Sequence, residues 1–197
     1  MPNRAYGWLG KPAWDWLDLA RYQYLQDWLD ALGLPWIFTY HPPDKTPILN
    51  AISDPEVTVY FPNAHGDSYF AEIGTGGNVI TASDVRSVLE TRGPGGTPIP
   101  MKFSFLIHSD GMGSTDPGTW TDALRLGDTP GTVVIGVWGG MPPWKWLMWQ
   151  LLWAGPFFAK VDQGMSFLEA YRRSHIGFKV NNMAFVGSAT LSKRDLT

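Results

Sequence analysis

KFSFLIHSDGM, residues 102–112, is an apolar run that stops abruptly at a cluster of small and polar residues. Its first half has the aromatic and branched side chains of a strand. Its second half places His108, Ser109, Asp110 and Gly111 in four consecutive positions. Such an ending matters because ligands of open α/β sheets bind beyond the carboxyl ends of the strands. The reading of position 109 decides what the chain can do. Ser109 is a nucleophile, the replacement of one, or a plain turn residue.

Working outward, VTVYF (57–61) is a second strand, and it runs into PNAHGDS. TVVIGVW (132–138) is continuously apolar, the mark of a strand buried on both faces. WIFTY (36–40) and MAFVG (183–187) complete the strands. Between them lie helical patterns. Residues 13–32 carry Trp14, Leu17, Leu25, Trp28 and Leu32 on one face and end at Gly33 and Pro35. Residues 46–53, 82–92, 119–127, 143–159 and 164–177 read as further helices, with Ser83 as the expected N-cap of the third. Strands alternating with helices predict an α/β fold, a three-layer α/β/α sandwich around a mostly parallel sheet. A length of 197 residues, without repeat or long linker, predicts one domain over 1–197.

Composition removes several classes. The net charge is −3 and no basic block occurs, so no electrostatic case for nucleic acid exists. There is no cysteine, which excludes disulfides, cysteine-bound zinc and thiol chemistry by this sequence. That fits a reducing compartment, and a cytoplasmic location is the expectation. The opening MPNRAYGWLGKPAW lacks the apolar core of a signal peptide. The longest apolar stretch, WLMWQLLWAGPFF (146–158), falls short of the about 20 residues of a spanning helix. It is expected to be a buried helix rather than an integral membrane segment, and the Trp and Met residues of 138–153 are expected in the core. Its tryptophans leave peripheral membrane contact open. His41 and His175 are expected to be solvated. No cofactor is called for.

If the strands at 57–61 and 102–107 are neighbours, His65 and Ser109 share one rim. A strand end followed by glycine also exposes N–H groups that can hold a developing oxyanion. A different chemistry uses His65-x-Asp67 and His108-x-Asp110 as two His/Asp pairs for zinc, manganese or iron(II). Residues two apart would have to curl together for that, so the site is expected to hold no metal.

These segments resemble the caspase-like cysteine peptidase fold shared by caspases, metacaspases, gingipains, clostripain and CHAT-type domains. In that group one strand ends in His-Gly, here His65-Gly66, and the next core strand ends in a small residue followed by the nucleophilic Cys. The caspase spacing between the two is about 50 residues, and His65 and Ser109 are 44 apart. PGTWTDALRLG (117–127), TVVIGVW, FFAKVDQGMSFLEAYRRS (157–174) and FVGSATL (185–191) follow in the family's order. The resemblance covers about residues 57–191, and the first 55 are expected to add an earlier strand with its helices.

One departure is decisive. The family's nucleophile is Cys, and this sequence has Ser109. A thiol with a pKa of about 8.5 is partly ionised near neutrality, whereas a hydroxyl needs strong base assistance. The resemblance therefore implies a peptidase homologue that is inactive as written. Ser109 is then an engineered Cys-to-Ser change, the natural residue of a non-catalytic relative, or, with His65, part of a serine hydrolase. By the family pattern, position 109 attacks the scissile carbonyl and His65 protonates the leaving amine. The N–H groups of Gly66 and of residue 109 hold the oxyanion, with Ile107 and Asp110 as further substrate-side positions. Relatives that cleave after basic residues carry Asp where this chain has Ile107, so a small or apolar P1 is expected. The implied partner is a peptide or protein, and two copies can pair through a terminal edge strand. The alternative is a non-enzymatic module that binds peptide in the same cleft.

Overall fold

The computed structural model describes residues 3–10, 15–73, 77–108, 110–139, 148–174 and 183–197. Its strands are β1 (Arg4–Leu9), β2 (Trp36–Tyr40), β3 (Val57–Asn63), β4 (Phe70–Glu72), β5 (Val79–Thr81), β6 (Phe103–Leu106), β7 (Val133–Val137) and β8 (Met183–Gly187). Its helices are α1 (Asp15–Ala31), α2 (Thr46–Ile52), α3 (Ala82–Leu89), α4 (Trp120–Arg125), α5 (Gly155–Asp162) and α6 (Phe167–Ser174). Six strands form one sheet in the order β2-β1-β3-β6-β7-β8. All neighbours run parallel except β8, which pairs antiparallel with β7. The small β4–β5 hairpin stands apart. This is the α/β sandwich with a mostly parallel sheet that the alternation predicts.

Every residue of β3, β6 and β7 is buried, as continuous apolar runs covered on both sides must be. Side-chain alternation sends Phe103 and Phe105 into one core with Leu25, Trp28, Trp149, Trp153, Phe157 and Phe167. It sends Leu106 into the other, with Trp120, Val85 and Met112. The first core is dense in aromatic pairs. Phe103 stacks on Phe167 with ring centroids 4.1 Å apart, and Trp28 stacks on Phe158 at 5.2 Å. Pairs of this kind contribute about 0.5–1.5 kcal/mol each beyond the area they bury.

Several sequence expectations change. The N-cap of α3 is Thr81, not Ser83. Thr81 Oγ1 accepts from the Asp84 N–H at 3.1 Å, and the Asp84 carboxylate accepts from the Thr81 N–H at 3.0 Å. A cap must be extended, and Thr81 is, at φ −101° and ψ 156°. The helix expected over 143–159 falls partly outside the described residues. Within them, a π-helical stretch, Gln150–Ala154, precedes α5. The Trp and Met residues expected in the core divide. Trp149 and Trp153 are buried, while Trp138 and Met148 are exposed. His41 is half-buried with its ring stacked on Tyr40 at 3.9 Å rather than free in solvent. His175 lies outside the described residues. Among the described residues no helix is long and apolar enough to cross a membrane.

Candidate functional site

β3 and β6 are parallel neighbours, with Val59 beside Phe103 and Tyr60 beside Ser104. The pairing reaches the carboxyl edge as a bridge between Asn63 and Ile107. The Ile107 N–H donates to Pro62 O at 3.0 Å, and the Ala64 N–H donates to Ile107 O at 3.4 Å. His65 stands two residues beyond Asn63 in the chain, and position 109 stands two residues beyond Ile107. Adjacent strands lie about 4.8 Å apart, so the two rim segments leave the sheet side by side. Ser109 itself lies outside the described residues.

His65 is exposed and Gly66 is half-buried. Gly66 faces Ala71 across a narrow antiparallel bridge. That bridge is flanked by Glu72 N–H to His65 O at 2.7 Å and Asp67 N–H to Phe70 O at 2.9 Å. In such a pair the residue's own N–H points away from the partner strand. A Cβ on residue 66 would meet Phe70 O at 2.3 Å. Close passage of β4 therefore requires glycine here, independently of any catalytic use. Ile107 is buried in the first core, so its side chain floors the rim from below. The Asp110 carboxylate accepts from the Gly139 N–H at 2.8 Å, and the Asp110 N–H donates to Gly139 O at 3.1 Å. Asp110 has φ 55°, a left-handed conformation that Asp tolerates better than most residues. It therefore clamps the β6 rim to the rim after β7, where Trp138 is exposed.

Two more bonds tie the β6 rim to the His65 segment. Ser68 Oγ donates to Asp110 O at 2.8 Å. His108 Nε2 lies 3.2 Å from Asp67 O. A carbonyl only accepts, so the proton is on Nε2. The His108 ring is buried edge-on against Trp120, and its Nδ1 has no partner among the described residues. A Cβ on Gly111 would sit 2.6 Å from His108 Nε2, so the loop closes over the ring. Burial pushes the His108 pKa down to about 4, against the upward pull of the Asp67 carbonyl and of the Asp67 and Asp110 charges.

That depression has a stability consequence. Between pH 6.5 and 4 the unfolded chain binds a proton at residue 108 that the folded chain refuses. Stability therefore falls as pH drops through that window and levels off below it, by about 3 kcal/mol in all. Denaturant midpoints at pH 7.5, 5.5 and 4.5 should fall more steeply for the wild type than for His108→Phe. Equal slopes would show that His108 ionises freely in the fold.

Sequence reading missed Arg21. This α1 residue is buried, with Nε 3.1 Å from Asn63 Oδ1 and Nη2 3.3 Å from Asn63 O. It places a guanidinium against the β3 end, two residues before His65. The proposed His/Asp metal pairs find other work. Asp67 Oδ1 accepts from the Tyr69 and Phe70 N–H groups, Asp110 holds Gly139, and His108 meets a carbonyl. Among the described residues no three His, Asp or Glu side chains converge as a metal site.

No protein-family profile matches the chain, and no curated protein sequence does. Solved structures do match. The crystal structure of the Drosophila initiator caspase Dronc superposes with a TM-score of 0.50 at 10% identity, over 93% of this chain and 78% of that one. At that identity the likeness concerns the fold, and the fold is caspase-like.

Proposed function

We propose that this chain is a homologue of the caspase-like cysteine peptidases that takes an extended peptide across the carboxyl edge of its sheet. In this reading residues 65 and 109 are the dyad positions, and serine at 109 leaves the protein inactive as written. The observation that carries it is the parallel β3–β6 pairing up to Asn63 and Ile107, which supports a shared crevice for the two segments.

With a thiol at 109, the thiolate sulfur would bond to the scissile carbonyl carbon. The carbonyl oxygen would gain charge and be held by the N–H groups of Gly66 and residue 109. The C–N bond would then break as the His65 imidazolium donates its proton to the leaving nitrogen. Water would hydrolyse the resulting thioester. Ile107 would present an apolar floor, suited to a small or apolar P1. Asp110 would keep the β6 and β7 rims in register, with Trp138 as a wall for the peptide.

The test is Ser109→Cys. The expected outcome is hydrolysis of members of a broad peptide library at sites with small or apolar P1, where the serine protein gives none. A well-folded cysteine variant, inert across the library, would overturn the peptidase reading. The hydroxyl at 109 favours a second reading, a peptide-binding module without turnover. Peptide capture at equal affinity by the serine and cysteine forms, without cleavage by either, would establish it.

A further inference from the structure

His108 breaks the pattern of its surroundings. Leu106, Met112 and Trp120, on the same side of the sheet, are buried and apolar. An apolar ring at 108 would fill that place without the cost of taking two polar nitrogens out of water. The imidazole is not there for a full set of bonds, because its Nδ1 has no partner among the described residues. What it does make is one bond, from Nε2–H to Asp67 O at 3.2 Å. Ser68 is a second buried polar residue of this kind. Its Oγ donates to Asp110 O at 2.8 Å.

The two bonds cross between the rim segments in opposite directions. One starts at residue 108 and ends on the His65 loop, and the other starts on that loop and ends at residue 110. They therefore grip the chain immediately before and immediately after position 109. Their far ends are the second and third residues after His65. Both sides are themselves braced. The Asp67 carboxylate accepts from the Tyr69 and Phe70 N–H groups, and the Asp67 N–H donates to Phe70 O. Asp110 is bonded to Gly139 through its carboxylate and its N–H. The first residue of α4 closes the unit. The Trp120 N–H donates to Ser68 O at 2.9 Å, and the Trp120 ring lies 5.5 Å from the His108 ring, centroid to centroid. The β3–β6 ladder ends at Asn63 and Ile107, and the two side-chain bonds carry the connection past it.

We infer that Ser68 and His108 are positioning residues, a paired clasp that sets the approach of residue 109 to the His65 imidazole. The inference rests on the reading of 65 and 109 as dyad positions. Neither clasp side chain meets the peptide, and each acts through a backbone carbonyl. Two loops that leave a sheet side by side can still drift apart. A misplacement of about 1 Å costs on the order of 10²-fold in rate, so the crevice needs a brace beyond the last ladder bond. The clasp also gives a reason for histidine at 108, where packing alone asks for an apolar side chain.

The chain has no cysteine, so Ser109→Cys carries a single thiol. Its alkylation by iodoacetamide between pH 5 and 9 reads the thiol pKa without any peptide. Proximity to His65 should hold that pKa below the ordinary value of about 8.5, and adding His65→Ala should restore it. Ser68→Ala or His108→Phe, each in the Ser109→Cys protein, should raise the thiol pKa by about one unit, a roughly tenfold loss of thiolate at pH 6. On a cleaved peptide the same variants should lower kcat by about 10–10²-fold with KM little changed. His108→Gln keeps an N–H donor and should stay nearer the parent than His108→Phe, which keeps only the bulk. A role in packing alone predicts the reverse order. Should His108→Phe fail to fold in a thermal melt, Ser68→Ala, which removes one oxygen on the other side of the crevice, decides. A depressed thiol pKa that responds to His65→Ala but not to the clasp variants would overturn the clasp and leave the dyad standing. An ordinary thiol that His65→Ala does not move would overturn both.

Discussion

In the Ser109→Cys protein, His65→Ala is expected to lower kcat by about 10²–10⁴-fold on the best peptide. KM should change little, because a proton donor to the leaving nitrogen acts in the transition state and not in ground-state binding. His65 is exposed and projects from a loop whose backbone is held by the Glu72 and Asp67 bonds. Removing its side chain leaves that backbone intact, so stability should stay within about 0.5 kcal/mol. The loss then belongs to chemistry and not to folding. His65→Gln should fare no better than alanine, since an amide cannot give up a proton. Initial rates on a fluorogenic peptide, with a thermal melt of each variant, make the comparison. Undiminished kcat in His65→Ala would remove the imidazole from the mechanism, even if the cysteine variant cleaves peptide.

The rim at the carboxyl edge of the sheet rests on features that differ in how plainly the sequence states them. β3, β6 and β7 were legible because a strand buried on both faces writes itself as an unbroken apolar run. Their adjacency was not legible, since strand order depends on long-range packing, and the resemblance to the caspase-like fold supplied it. β1 was hidden. Gly7 interrupts its pattern, and the reason lies in the neighbouring strand, where a Cβ at residue 7 would meet the Phe38 ring at 3.1 Å. The β4–β5 hairpin was hidden too, because three-residue strands carry no periodicity. Yet that hairpin dictates Gly66, so the glycine that reads as catalytic also has a packing cause. Arg21 could have been found. It falls four residues after Leu17 and four before Leu25, in the middle of the apolar face of α1. A charge in that place needs a buried partner, and the partner is Asn63 at the end of β3. Asp110 reads as a substrate-side position or the cap of a turn, and in the structure its carboxylate accepts from the Gly139 N–H. Sequence gives the residue type at a rim, and only the fold decides whether its valences are already taken.

Arg92→Met is expected to destabilise the protein by about 3–5 kcal/mol, the largest stability change predicted for this chain. Arg92 is only 8% exposed. Its guanidinium donates to the carbonyl oxygens of Ile99 and Ile52 at 2.9 Å, Val57 at 2.8 Å and Pro100 at 3.0 Å. These carbonyls belong to the end of α2, the start of β3 and the segment leading into β6. One side chain thus fixes the amino ends of the two strands whose carboxyl ends carry residues 65 and 109. Burial lowers the guanidinium pKa to about 10, and the nearby Asp54 charge partly opposes that shift. The charge is therefore intact at neutral pH, and Arg92 adds no pH dependence there. Methionine matches the aliphatic stem but leaves the carbonyls without their donor, and each buried loss of that kind costs about 1–3 kcal/mol. Partial relaxation keeps the total below the sum. Arg92→Lys retains the charge but not the planar fork, so it should fall between the two. Urea midpoints at pH 7.5 for the three proteins decide the matter. A shift below about 1 kcal/mol for the methionine variant would mean that the carbonyls find water or one another, and that the register of β3 and β6 is set elsewhere.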